Sequence, residues 1–256
     1  MRRLGLVLIA IVLVVYAALC GALYVLQRSF MYFPTRESRS TRAEALSIAT
    51  DGAVLKVWRV PGAGERAVIY FGGNAEDVAA NIAPFAAALP NTAIFLVNYR
   101  GYGGSTGSPS EAALLADAEI VFDRVRAQHS RVAVIGRSLG SGVAVHLATV
   151  RDVSELALVA PYDSVLRVAQ RQLPLVPVSW LLKDKFDSLA KAPRVRAPVL
   201  VLLAELDRVI PREHSERLIA AFAPGQVEAR TIAATNHDSI SESPDYARTL
   251  ATFLLN

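Results

Sequence analysis

The pentapeptide Gly136-Arg137-Ser138-Leu139-Gly140 has the spacing G-x-S-x-G and lies between the apolar run 132–135 and a helix-like stretch over 139–150. In a sharp strand-to-helix turn, a serine held in a strained backbone conformation projects its hydroxyl outward. Small residues two positions away remove the side chains that would collide in the bend. The chemistry such a serine performs is nucleophilic attack. Spacing disfavours two other uses of a glycine loop. A phosphate loop needs Lys-Ser or Lys-Thr after its last glycine, and neither follows here. A dinucleotide loop starting at Gly140 and Gly142 would put Val145 where a third small residue must pack. By composition alone the pentapeptide arises in roughly one chain in ten of this length, so its meaning depends on its partners.

A serine hydroxyl is a weak nucleophile until a base takes its proton, and the chain offers four histidines. His129 precedes the strand and falls at its far end. His146 is eight residues into the following helix, about 12 Å along its axis. His214 begins a later helix. His237, in Thr235-Asn-His-Asp-Ser239 after the last apolar run, sits on a loop expected to return to the same sheet edge as Ser138. An orienting carboxylate belongs at another strand end. Asp207, after the run 199–203, and Asp163, after the run 156–159, both have that position, with Glu205 and Asp238 as further candidates. Acyl transfer also needs donors for the developing oxyanion. The backbone N–H of Leu139 is one, and that of Asn74, in Tyr70-Phe-Gly-Gly-Asn-Ala-Glu76, is the expected second.

The elements that must position these groups follow from hydrophobic patterning. Candidate strands cover 45–49, 54–60, 68–71, 93–98, 132–135, 156–159, 199–203 and 227–232; the first two are joined through Asp51-Gly52 as a hairpin. Helices are predicted near 77–89, 110–128, 139–150, 211–223 and 244–254. This alternation predicts an α/β fold with a mainly parallel central sheet flanked by helices. The interval 164–196 breaks the rhythm with Pro174, Pro177, Pro193 and the run Leu173-Pro-Leu-Val-Pro-Val-Ser-Trp-Leu-Leu182. It is too long for a plain loop and reads as a short helical cap insertion.

A chain of 256 residues suits one such domain with short appendages. Residues 4–26 are uncharged, long enough at about 1.5 Å per residue to cross a hydrocarbon core of about 30 Å. They read as an uncleaved transmembrane helix, since the apolar core of a cleaved signal is typically only about 7–15 residues. The expected organisation is therefore a membrane anchor over 1–28, a linker over 29–42 and a catalytic domain over 43–256. Arginines flank both ends of the apolar run, so charge asymmetry does not set its orientation; a short cytoplasmic N-terminus with an exported domain is the preferred expectation. Of the net charge of +4, three charges belong to Arg2, Arg3 and Arg28 beside that run, which leaves +1 elsewhere and no nucleic-acid signature. The single cysteine, Cys20, excludes an internal disulfide and a cysteine metal cluster.

From Gln27 to the C-terminus the chain resembles the membrane-associated α/β-hydrolase-domain proteins, in the broad branch that includes protein depalmitoylases. The resemblance rests on Gln27-Arg-Ser-Phe-Met-Tyr-Phe-Pro34, Gly73-Asn-Ala-Glu76, Asn98-Tyr-Arg-Gly-Tyr-Gly-Gly-Ser-Thr-Gly-Ser-Pro109, the elbow pentapeptide, Pro161-Tyr-Asp-Ser164, Asp184-Lys-Phe-Asp-Ser188 and Asp207-Arg-Val-Ile-Pro211. It implies the α/β-hydrolase fold and serine-hydrolase chemistry, with Ser138 as nucleophile, His237 as general base and acid, and Asp207 as its orienting partner. The chain order Ser138, Asp207, His237 fits that arrangement. The chain departs from the family at Gly72, where a histidine is usual, and at Leu-Ala-Glu-Leu-Asp207 in place of His-Gly-Thr-x-Asp. The family's N-terminal cysteine cluster is also missing, a hydrophobic helix standing in its place.

The expected function is a membrane-anchored serine hydrolase that cleaves a carboxylic ester or thioester, with an acyl or lipid-like group, through an acyl-serine intermediate. The chemistry needs no metal and no organic cofactor. The expected partners are a small acyl substrate and the membrane, with no nucleic acid. The alternative, motivated by Gly72, is a non-catalytic membrane-tethered binding scaffold on a hydrolase fold.

Overall fold

The structure is a computed structural model and describes residues 2–255. Eight strands form one sheet: β1 (Glu44–Thr50), β2 (Ala53–Val60), β3 (Arg66–Phe71), β4 (Ala93–Val97), β5 (Arg131–Arg137), β6 (Leu156–Val159), β7 (Val199–Ala204) and β8 (Val227–Ile232). Their order is β1-β2-β4-β3-β5-β6-β7-β8. β1 pairs antiparallel with β2, and β2 antiparallel with β4, whereas every pair from β4 to β8 is parallel. The inner strands β4, β6 and β7 are buried at every position, so their sequences are continuous apolar runs rather than alternating ones. At the edge, β8 is mostly exposed and carries Glu228 and Arg230, whose charges discourage pairing with another sheet.

Helices cover both faces. On one, α3 (Glu111–Arg126), α4 (Leu139–Val150) and α8 (Arg212–Ala221) pack Phe122, Val143 and Leu218 against Val134, Leu158 and Val201. On the other, α2 (Ile82–Ala88) and α9 (Pro244–Leu255) pack Phe85, Tyr246 and Leu250 against Val68, Ile135 and Leu202. The predicted helix over 77–89 is divided: Asp77 caps a 3₁₀ turn over Val78–Asn81, and α2 begins at Ile82. Pro84 accounts for the division, because a continuous α-helix needs an N–H at 84 to donate to the carbonyl of Ala80.

Between β6 and β7 lie α5 (Val165–Gln172), α6 (Val178–Leu181), α7 (Ser188–Lys191) and a 3₁₀ turn over Ala192–Arg194. The N-terminal helix α1 (Arg2–Met31) is long and apolar enough for a membrane anchor or a signal sequence. Its C-terminal half is not free. Cys20, Leu23, Gln27 and Met31, at helical spacing, form a partly covered stripe. Gln27 donates to the Leu181 carbonyl at 3.0 Å and accepts from the Lys183 N–H at 2.7 Å. Arg28 grips Asp184 through two bonds of 2.9 and 3.1 Å, and Tyr32 donates to the same carboxylate.

Candidate active site

The parallel strands share a direction, so the loops that leave β3, β5, β7 and β8 gather at one edge of the sheet, where α/β folds place their ligands. Each loop carries one of the groups singled out in the sequence. At the end of β5, Ser138 has φ 48° and ψ −114°, a strained conformation for a residue with a side chain. Two glycines make room for it. A Cβ on Gly136 would lie 2.4 Å from the Gly140 carbonyl oxygen, and one on Gly140 would lie 2.0 Å from that of Phe71. The strand, the turn and β3 therefore pack backbone to backbone, and the Ser138 N–H is tied to the Val159 carbonyl of β6 at 2.9 Å.

His237 Nε2 lies 2.9 Å from Ser138 Oγ, and His237 Nδ1 lies 2.8 Å from Asp207 Oδ2. With Nδ1 as donor to the carboxylate, Nε2 is left to accept the serine proton. The other oxygen of Asp207 accepts the N–H groups of Val209 and Ile210, both at 2.9 Å, which fixes the carboxylate after β7. The imidazole and carboxylate are largely shielded, with side-chain exposures of 10% and 8%. Water therefore screens their contact only weakly.

The remaining candidates go elsewhere. Asp163 is fully buried and is bonded instead to His214 and Arg217, each at 2.7 Å, rather than to His237. His146 meets Glu119 at 3.0 Å, and His129 packs edge-on against Phe95. Glu205 accepts from the Ala234 N–H, and the Asp238 N–H is held by Asn236.

Leu139 opens α4, so its N–H has no intrahelical carbonyl to reach and sits at the positive end of the helix dipole beside Ser138. Across the site, the loop after β3 passes Ser138 closely: a Cβ on Gly73 would lie 3.5 Å from the Ser138 Cβ. The Asn74 side chain anchors that loop through both its oxygen and its nitrogen. Its Oδ1 accepts from the Phe33 N–H and the Tyr102 hydroxyl, and its Nδ2 donates to the Met31 carbonyl at 2.7 Å.

Glu76 and Arg137, which sequence reasoning passed over, brace three of these loops, those after β3, β5 and β8. Glu76 accepts from Tyr70, Asn81 and the Gly73 N–H, and from Arg137 at 2.8 Å; Arg137 donates onward to the carbonyls of His237 and Asp238. Burial is the largest single effect and works against the Arg137 cation, yet the Glu76 carboxylate together with the neighbouring Tyr70 and Tyr246 outweighs it and holds the guanidinium more firmly protonated than usual. This network also accounts for Gly72. A Cβ there would meet Val78 Cγ1 at 2.7 Å and Glu76 Oε2 at 3.2 Å, so the space beside the loop is already filled. The signal available in the sequence was a glutamate three residues after Gly73 and an arginine inside the pentapeptide.

Residues 60–188 match the Alpha/beta hydrolase family. The chain belongs to that family. An uncharacterized protein of Mycobacterium tuberculosis is 35% identical to this α/β hydrolase over 238 residues, covering 87% of this chain and 84% of that protein. The alpha/beta hydrolase domain-containing protein aho-3 of Caenorhabditis elegans is 32% identical over 168 residues, 64% of this chain and 49% of its own. Among solved structures, the Pyrococcus furiosus esterase Pf2001 superposes with a TM-score of 0.70 at 19% identity, over 88% of this α/β hydrolase and 98% of that chain, a likeness of fold.

An apolar cavity of about 260 Å³ lies between α1 and the 164–196 segment, walled by Leu23, Phe30, Met31, Val168, Val176 and Leu181. Ser138 and His237 do not line it. It adjoins the site of this α/β hydrolase through Met31, whose carbonyl holds Asn74.

Proposed function

We propose that this α/β hydrolase is a membrane-anchored serine hydrolase that cleaves a carboxylic ester or thioester through an acyl-serine intermediate. The observation that carries the reading is the continuous relay from Asp207 to His237 to Ser138 at 2.8 and 2.9 Å, ending on a serine in a strained turn. In the first half-reaction His237 Nε2 takes the Ser138 proton as Oγ bonds to the acyl carbon, and Asp207 stabilises the resulting imidazolium. The backbone N–H groups of Leu139 and Asn74 receive the oxyanion, and His237 returns its proton to the departing alcohol or thiol. Water then gives its proton to His237 and attacks the acyl carbon, releasing the acid and restoring Ser138.

The 164–196 segment serves as the cap, α1 as an uncleaved anchor and 29–42 as the link to the hydrolase domain. The polar grip of Gln27, Arg28 and Tyr32 on the cap supports retention of α1, since cleavage after it would strip the buried Asp184 of its partner Arg28. Apolar walls beside the site favour an acyl or lipid-like substrate. Gly72, the reason for a scaffold reading, has its loop held by Glu76 instead of by a side chain of its own.

A fluorophosphonate probe tests the nucleophile: the wild type is labelled, and Ser138→Ala is not. Equal labelling of both would sink the assignment. Hydrolysis of an acyl-ester and acyl-thioester panel by the wild type, lost in a folded His237→Ala variant, separates enzyme from scaffold. Protease protection reads the orientation, for which an exported catalytic domain is proposed.

A further inference from the structure

The charge-free run Leu173–Leu182 projects from the cap beside the anchor helix. It carries the two most exposed large apolar side chains among the described residues, Leu175 at 84% and Trp180 at 86%. Apolar groups that face water this fully at the tip of an insertion need a partner. One bond fixes where that partner lies: the Tyr16 hydroxyl donates to the Leu175 carbonyl at 2.7 Å.

Tyr16 is near the middle of α1, and its depth follows from the helix rise. Arg2 and Arg3 mark one end of the apolar run, so a core of about 30 Å takes up about 20 residues, roughly 4–23. Tyr16 then lies about 10 Å inside the boundary nearer the catalytic domain. Leu175 shares that depth because it is bonded to it. Lifting Leu175 into water would leave only residues 4–15 within the core, about 18 Å, which is too short to span. The groups above it suit the interface: Lys183 Nζ stacks 4.1 Å from the Tyr24 ring, and Arg28 meets Asp184 one turn further on.

Most of the backbone N–H groups of this run already have partners. Pro174 and Pro177 have no N–H to satisfy, and the N–H groups of Leu173, Val176, Val178 and Trp180 donate to neighbouring carbonyls. Tyr16 satisfies the Leu175 carbonyl, which removes one of the unpaired backbone groups that hydrocarbon penalises.

We propose that Leu173–Leu182 is a second, non-spanning membrane element, inserted into the same leaflet as the C-terminal half of α1. Its partner is the acyl layer of the bilayer, and the cavity between α1 and the cap then opens into lipid rather than water. The proposal rests on the reading of α1 as an uncleaved anchor. It adds that the catalytic domain is sunk into the surface rather than held away from it on a stalk.

The chain has two tryptophans, and Trp58 is buried in the sheet, so the emission lost in Trp180→Phe reports on position 180. The full-length protein is reconstituted into phosphatidylcholine vesicles whose acyl chains carry bromine at mid-depth. The expected result is loss of most of the Trp180 emission to brominated lipid, with little loss to aqueous acrylamide. Quenching by acrylamide but not by lipid would overturn the proposal. Protection from both would place a protein, such as a second copy of this chain, on the patch and would overturn it equally. An alkaline carbonate wash separates the two readings. Protein that stays with the vesicles while Trp180 remains in water loses only the insertion, whereas protein that washes off loses the anchor and the insertion together.

Discussion

Asp207 and His237 meet at 2.8 Å, and Asp163 and His214 meet at 2.7 Å. Both aspartates follow a parallel strand, β7 in one case and β6 in the other, and both present an oxygen to Nδ1. What surrounds the pairs differs. His237 directs Nε2 to the hydroxyl of Ser138, while His214 is buried with its Nε2 facing no polar partner. Asp207 spends its second oxygen on the N–H groups of Val209 and Ile210, whereas Asp163 spends its second on Arg217, a fixed cation. An Asp–His contact is therefore not itself a catalytic device. It becomes one when the far nitrogen faces a nucleophile and the imidazole is the only cation its carboxylate must balance. In the second pair the same chemistry ties the β6 loop to α8.

The largest expected effect tests that distinction directly. Ser138→Ala abolishes turnover, and Asp207→Asn lowers kcat by about 10⁴-fold through loss of the orienting charge. Asp163→Asn leaves kcat of the folded protein unchanged. Ester hydrolysis across the three variants, each checked by circular dichroism, reads the contrast. An Asp163→Asn enzyme as inactive as Asp207→Asn would exchange the roles assigned to the two pairs.

Glu76 supplies the next effect, because its brace links the serine loop to the histidine loop. Glu76→Gln keeps the size of the side chain but leaves the mostly buried Arg137 without its counter-charge. Losing one member of such a pair costs on the order of 3 kcal/mol of stability. Displacement of the His237 loop by about 1 Å lowers kcat by up to about 10²-fold. Thermal unfolding and steady-state kinetics measure the two separately. A fall in Tm with kcat intact would make Glu76 structural only.

In Asp163→Asn the expected cost is in stability, about 1–3 kcal/mol, for weakening buried bonds to His214, Arg217 and the Ser164 N–H. Urea unfolding of Asp163→Asn and Asp207→Asn checks it, since the first must fall further than the second.

The two pairs also show what a sequence reveals. The strands were legible because buried parallel strands are written as apolar runs such as Val199–Ala204. Ser138, with its flanking glycines, was legible because an elbow is local, and strand-end position drew attention to Asp207, Asp163 and His237 alike. Position could not tell which way Asp163 faces, because the arginine that claims it lies 54 residues away on α8. The Glu76–Arg137 brace spans 61 residues and the Tyr16–Leu175 bond 159, and in each case both members read locally as ordinary polar or apolar residues. The divided helix at Ile82 was readable from Pro84, since the missing N–H is a property of the residue itself.

The smallest effect isolates burial from pairing. Asp123 and Arg151 form an ion pair through two bonds of 2.7 and 2.9 Å, against the single 2.7 Å bond between Asp163 and Arg217, but the Asp123 side chain is 55% exposed. Hydrogen bonds from Arg151 hold the Asp123 carboxyl below its ordinary value, against a smaller opposing effect of burial. A carboxylate with a lowered pKa in the folded state contributes stability above its unfolded pKa of about 3.9, and loses it as the pH falls through the folded value. Asp123→Asn is therefore expected to cost only about 0.2–1 kcal/mol at neutral pH. The difference from wild type closes in acid below about pH 4, and it narrows in about 1 M salt, where the screening length is about 3 Å. The Asp163→Asn deficit should persist in that salt, because water and ions do not reach a fully buried carboxylate. Urea unfolding at the two salt concentrations checks both variants. Equal salt sensitivity would mean that the buried pair gains nothing from exclusion of solvent, which would remove the physical basis for contrasting Asp163 with an exposed aspartate.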